Sequence, residues 1–209
     1  MCALTTMALA GCTPKANETE GCGDSCCKKY QNAVIENIMT RRSIRKYEER
    51  PVDRDTLATI LECGVYAPNA MNKQCWEIRV VDNKEFIDGA TEVFKQSAPA
   101  QMTSDPEFKN MFRNAPTVVF VACEKGQRFS QIDCGLLGEN IMLAAWSMGI
   151  GSCCLGSSAA FFTSPALAEY LKKLEFSENY ELVYCIGLGY PAEEPAAKER
   201  NMDKIKFIE

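Results

Sequence analysis

The chain has 209 residues, a net charge of −5 and 46% hydrophobic residues. That composition excludes a disordered polymer, leaves room for one domain with a substantial core, and excludes a nucleic-acid binder, which needs a broad basic face. Histidine is absent, so Ser-His and Cys-His catalytic pairs and histidine metal sites are excluded too.

The first twelve residues, MCALTTMALAGC, end in Leu9-Ala10-Gly11-Cys12. This resembles the lipobox of bacterial lipoproteins, whose Cys carries the lipid. The run is too short to span a bilayer, which takes about 20 apolar residues, and it lacks a basic leader. The resemblance therefore implies a start upstream of Met1; otherwise the match is chance. A polar stretch, TPKANETEGCGDS, comes next, as an anchored domain's tether would. The expectation is a cell-envelope protein lipid-anchored at Cys12; the alternative is a cytoplasmic chain with all its thiols reduced. Cys22, Cys26 and Cys27 lie in this polar segment, where a disulfide or a metal could form, but no fourth ligand is near and no metal site is assigned. Residues 1–29 read as leader and tether, and residues 30–209 as the globular domain.

NAVIENIMTR places Val34, Ile35, Ile38 and Met39 at helical spacing and puts a basic cluster at the helix end or just past it. A second helix comes after it, with Asp53 as N-cap, Leu57, Ile60, Leu61 and Val65 as its apolar stripe and Pro68 as its stop. Trp76–Asn83 alternates and reads as a strand, with a helix after it from about Lys84 to Lys95. Gln96–Phe112 is irregular. Ala115–Glu124 is a near-continuous apolar run, the pattern of a strand buried on both faces.

DCGLLGENIMLAAWSMGIGSC is a long apolar helix closed near Gly149 and Gly151, and the stretch after it, on its own residues, reads as a helix-ending loop. Ser164 caps and Pro165 opens another helix through SPALAEYLKKL, and Tyr180–Pro191 is the last strand. Most of Cys63, Cys75, Cys123, Cys134, Cys153, Cys154 and Cys185, which lie in apolar segments, are expected to act as small buried hydrophobes. Helices that do not alternate regularly with three or four strands imply an α+β fold with a small mixed or antiparallel sheet. No strand, Gly-rich turn and helix in succession makes a dinucleotide fingerprint.

Four separated stretches carry a resemblance: RRSIRKYEERPV, YAPNAMNKQCW, DCGLLGENIMLAAWSMGIGSCCLG and IGLGYPAEEPAAKERN. In order and spacing, over residues 37–206, they resemble the nitroreductase family of FMN enzymes. The resemblance implies that Arg41, Arg42, Ser43 and Arg45 hold the FMN phosphate and ribityl chain. Planar guanidinium forks suit paired phosphate oxygens. Read alone, the cluster would be a solvated basic patch closing a helix.

The resemblance also implies that Pro68, Asn69, Ala70 and Asn72 reach the flavin from a partner subunit. The chain departs from the common form here, with Cys75-Trp76-Glu77 where Pro-Trp-His is usual. Leu155 and Gly156 match positions whose backbone approaches the reactive flavin edge, and Lys198 and Arg200 match a basic pair that completes the phosphate pocket.

Membership of this family would imply a homodimer with FMN at the subunit interface, with NADH or NADPH as donor and a nitroaromatic or quinone as small-molecule acceptor. Turnover would be ping-pong, and no catalytic side chain is assigned. Two alternatives stand beside it: a reductive dehalogenase-like flavoenzyme of the same superfamily, and a non-catalytic envelope lipoprotein that keeps the flavin-binding fold.

Overall fold

The computed structural model describes residues 32–209. The lipobox-like run, the tether with Cys12, Cys22, Cys26 and Cys27, and the domain boundary at residue 30 lie outside the described residues.

Six helices and one four-stranded sheet make up the described chain. Helix α1 (Ala33–Thr40) starts where the Asn32 side chain accepts the N–H groups of Val34 and Ile35 at 2.9 and 3.2 Å. Helix α2 (Arg54–Val65) starts at Asp53, whose carboxylate accepts Thr56 N–H at 2.9 Å, so the expected cap is present. Strand β1 (Trp76–Val81) leads into α3 (Lys84–Ser97), capped by Asn83; the helix buries Ile87, Ala90, Thr91 and Phe94, one stripe at helical spacing. Strand β2 (Thr117–Glu124), α4 (Ser130–Ser147), β3 (Gly151–Leu155), α5 (Gly156–Phe162), α6 (Ala168–Lys172) and β4 (Tyr180–Gly189) complete the order.

Two expectations need correction. The segment after α4 is not a loop: it forms β3 and then α5. The helix opened by Pro165 is a 3-10 turn, Pro165–Leu167, continued by the short α6, and Ser164 holds the cap position without a side-chain hydrogen bond.

The strands run in the order β1-β2-β4-β3, every neighbouring pair antiparallel. Strand β2 is buried from Thr117 to Cys123, as its apolar run implies, and its side chains alternate between two cores. Val118 and Phe120 join Ile87, Phe94, Phe112 and Phe162 on one face. Val119 and Val121 join Leu57, Ile60, Leu137 and Ile141 on the other. The sheet is therefore a middle layer, with α2 and α4 on one side and α3 and α5 on the other.

Of the seven cysteines in the described chain, Cys75, Cys123, Cys134, Cys153 and Cys185 are buried, and Cys63 and Cys154 are exposed. Burial pushes the Cys134 thiol up to about 12, which keeps it protonated and inert at neutral pH.

Candidate functional site

The basic segment is held by its two apolar residues. Ile44 is 1% and Tyr47 8% exposed, and both enter the core on the α3 side, while Arg45 and Lys46 between them stay outside. Burying a side chain of this size contributes about 1.5–3 kcal/mol, enough to fix where its charged neighbours point. Ser43 forms a parallel bridge to Ser152 on the free edge of β3, and Ile44 N–H donates to Ser152 O at 2.9 Å. Beyond it, Glu48 N–H donates to Tyr190 O and Ala192 N–H to Lys46 O, each at 2.9 Å. The segment thus extends the sheet edge along β3 and the end of β4.

The four residues of this motif have different local duties. Arg42 Nη1 donates to Met39 O and Arg41 O, both at 2.9 Å, closing the C-terminal end of α1. That is the helix-closing role a basic patch takes by default. Arg41 Nε is buried, lies 3.6 Å from Glu139 Oε1 and has no hydrogen-bond partner. Arg45 Nη1 donates to Ser43 O at 3.1 Å. Burial raises the Cys153 thiol on β3; the positive charges of Arg45, Arg113 and Arg41 pull it back down, and the Glu193 carboxylate raises it.

Leu155 and Gly156 lie at the end of the same strand, where β3 passes into α5. The Leu155 side chain is buried, and a side chain added at Gly156 would meet nothing within 4 Å, so the backbone there faces open space. The basic segment and the β3 end are thus brought together by the Ser43–Ser152 bridge.

The loop of the second motif is placed by α4 instead. Ala70 N–H lies 3.2 Å from each oxygen of the buried Asp133 carboxylate, and Asn69 Oδ1 accepts Gln74 N–H at 2.9 Å. Its Met71 and Asn72 take left-handed backbone angles, φ 55° and 52°, and both are exposed, as is Pro68. Asp133 anchors the loop near the N-terminal end of α4; Arg41 reaches the same helix at Glu139, six residues or about 9 Å further along. No hydrogen bond or ion pair joins the loop to the basic segment among the described residues.

Lys198 and Arg200 are exposed on the irregular segment after β4, and Arg200 Nη1 donates to Lys198 O at 3.3 Å. That segment does touch the basic cluster earlier. The Glu193 carboxylate accepts the backbone N–H groups of Arg45 and Lys46.

Sequence reading missed Asp133, Glu193 and Arg113. An acid in the first turn of α4 was a usable signal for the first, since helix N-termini favour acids. Nothing local marks Glu193. Arg113-Asn114 before Pro116 was a weak turn signal, because Asn tolerates left-handed backbone.

Two clefts border this region. One of about 520 Å³ is lined by Arg45, Arg113, Ser157, Phe161 and Glu193, among others. A larger one of about 1000 Å³ lies across Lys46 and Glu107 and holds none of the twelve assigned residues.

The Nitroreductase family model matches residues 38–190. The crystal structure of a nitroreductase with bound FMN from Bacteroides fragilis aligns at 33% identity with a TM-score of 0.72, covering 86% of this chain and all of that one. A protein from Methanothermobacter thermautotrophicus whose name includes NAD(P)H nitroreductase is 32% identical over 79% of this chain and 81% of its own. The NADPH-flavin oxidoreductase of Vibrio harveyi is 26% identical over 81% of this chain and 70% of its own. With the family model spanning most of its length and the fold matched over 86% of the chain, this chain belongs to the nitroreductase family.

Proposed function

We propose that this chain is an FMN-dependent oxidoreductase that draws electrons from NADH or NADPH and delivers them to nitroaromatics, quinones or related acceptors. The observation that carries the reading is Arg41 Nε, a buried donor with no hydrogen-bond partner, its one carboxylate neighbour, Glu139, standing off at 3.6 Å, in the segment that runs along the β3 edge to Arg45. A buried donor left unsatisfied costs about 1–3 kcal/mol, and a phosphate oxygen would recover it.

FMN, when bound, supplies hydride acceptance from nicotinamide and onward electron transfer. The chain's part is binding and orientation. Arg41, Arg45 and Ser43 would hold the phosphate and ribityl chain, and Lys198 and Arg200 would close the pocket from the segment that Glu193 ties down. The open side of Gly156 would let the ring approach the backbone at Leu155–Gly156. No acid or base side chain is assigned to the chemistry.

The Pro68–Asn72 loop completes the site from a second copy. A homodimer is supported by exposed apolar residues on two helices packed together: Val34, Ile35, Ile38 and Met39 on α1, and Ile132 and Leu136 on α4. Exposed apolar residues on neighbouring helices are a surface that a second copy would cover. The Leu9–Cys12 stretch supports a lipid anchor in the cell envelope.

Steady-state rates of NADH and NADPH oxidation with a nitroaromatic and a quinone test the reading. Parallel double-reciprocal lines, the mark of donor and acceptor sharing one site in turn, are expected. Absence of acceptor-dependent oxidation with either nucleotide would overturn it.

A further inference from the structure

Arg113 lies outside all four sequence motifs, yet the backbone around it is built with unusual care. Asn110 Oδ1 accepts the N–H groups of Phe112 and Asn114 at 2.9 and 3.0 Å, and its amide donates to Ala115 O at 3.1 Å. Asn114 Oδ1 in turn accepts the N–H groups of Lys109 and Asn110 at 2.8 and 3.0 Å, and its amide donates to Glu107 O at 2.8 Å. Phe112 and Ala115, on either side, are fully buried. Between them Arg113 and Asn114 have φ of 56° and 64°, a left-handed conformation rarely adopted by a residue with a long side chain. Backbone held this way gathers at functional sites, where the surrounding bonds over-determine it.

This knot presents a free cation. Among the described residues Arg113 makes no ion pair and no side-chain hydrogen bond. It shares the cleft of about 520 Å³ with Arg45 and Ser157. The carboxylates lining that cleft are already engaged: Glu107 pairs with Lys46 at 2.6 Å, Glu193 takes the N–H groups of Arg45 and Lys46, and Asp105 accepts Glu107 N–H at 2.9 Å. Of the three cations that line the cleft, Lys46 is paired with Glu107 and Arg45 donates to Ser43 O, which leaves Arg113 as the one with no such partner among the described residues. Arg42, meanwhile, is turned onto the carbonyls of Met39 and Arg41.

We infer that Arg113 is a further FMN-binding residue of this chain, one that takes the place beside Arg45 on the cofactor phosphate that the motif would give to Arg42. The inference rests on the FMN reading and adds to it a residue from the β2 approach, far in sequence from either basic motif. A guanidinium there adds a charge-assisted hydrogen bond to a doubly charged group.

Equilibrium dialysis of the full chain against FMN and, separately, against riboflavin, which has no phosphate, tests it. Arg113→Gln should weaken FMN about tenfold and leave riboflavin binding unchanged, and Arg113→Lys should recover most of the loss. Arg113→Gly separates charge from backbone, since it relieves the left-handed strain and still removes the cation; it should lose FMN as Gln does. Unchanged FMN affinity in the Gln or Gly variant would overturn the inference, as would an equal loss of FMN and riboflavin. An unmutated chain that takes up neither flavin would overturn the functional reading beneath it.

Discussion

Gly151 and Gly189 stand opposite one another in the β3–β4 register, and the core fills the space where their side chains would be. A Cβ on Gly151 would meet Ile44 Cγ1 at 2.8 Å, and one on Gly189 would meet Tyr47 Cδ1 at 2.8 Å. Those two residues anchor the basic segment, so the glycine pair admits the segment to the sheet edge. Gly151→Ala should therefore cost about 1–3 kcal/mol in urea unfolding, the range for overpacking a filled core, and should weaken FMN binding at the same time. Unchanged FMN affinity in a destabilised variant would detach the glycines from the site.

The arginines of the first motif should not be equivalent. Arg41→Ala with Arg45→Ala is expected to purify folded and largely free of flavin. Arg42→Ala should retain more flavin, because its guanidinium already serves the end of α1. Flavin content per chain, read after denaturation, ranks them.

Glu77 gives the fold a defined response to acid. Its burial opposes ionisation, but Ser177, through its hydroxyl at 2.5 Å and its N–H at 3.1 Å, and Arg79 at 2.8 Å outweigh that and hold the carboxyl below the ordinary glutamate value of 4.5. The unfolded chain then binds the proton more readily than the folded one. The stabilisation is fully present above pH 4.5 and is lost as pH falls below it through the folded value. The difference in urea midpoint between the wild type and Glu77→Gln should be largest at neutral pH and shrink towards pH 3.

The exposed apolar faces of α1 and α4 should vanish into a second copy. Ile38 is 49% and Leu136 42% exposed in the single chain, and charged replacements of both should give a monomer by light scattering. If the Asn69–Asn72 loop reaches the cofactor from the other copy, this monomer should also lose FMN.

The strong elements were legible in the sequence because their own residues determine them. β2 is apolar from Val118 to Cys123, α2 announces its start at Asp53, and α3 shows its buried stripe. β3 was hidden because Gly151-Ser152-Cys153-Cys154 has no strand propensity of its own; it is a strand because β4 pairs with it and because small residues leave room for Ile44. The apolar stripe of α1 was legible as a helix, but not its destination, since no residue of α1 is buried in the single chain. The basic segment and the Leu155–Gly156 end could be named from the resemblance. Their adjacency depends on the Ser43–Ser152 bridge, a contact across more than a hundred residues that no local pattern encodes. Arg113 was out of reach for the same reason: the cleft it lines is shared with Arg45 and Ser157, both more than forty residues away.

The most direct measurement is the visible absorption spectrum of the purified protein under anaerobic conditions, recorded before and after adding NADH and then NADPH. The expected result is a two-banded flavin spectrum that bleaches with one or both nucleotides, with FMN released on denaturation. A colourless protein that also fails to take up added FMN would contradict the assignment of this chain as a flavin oxidoreductase.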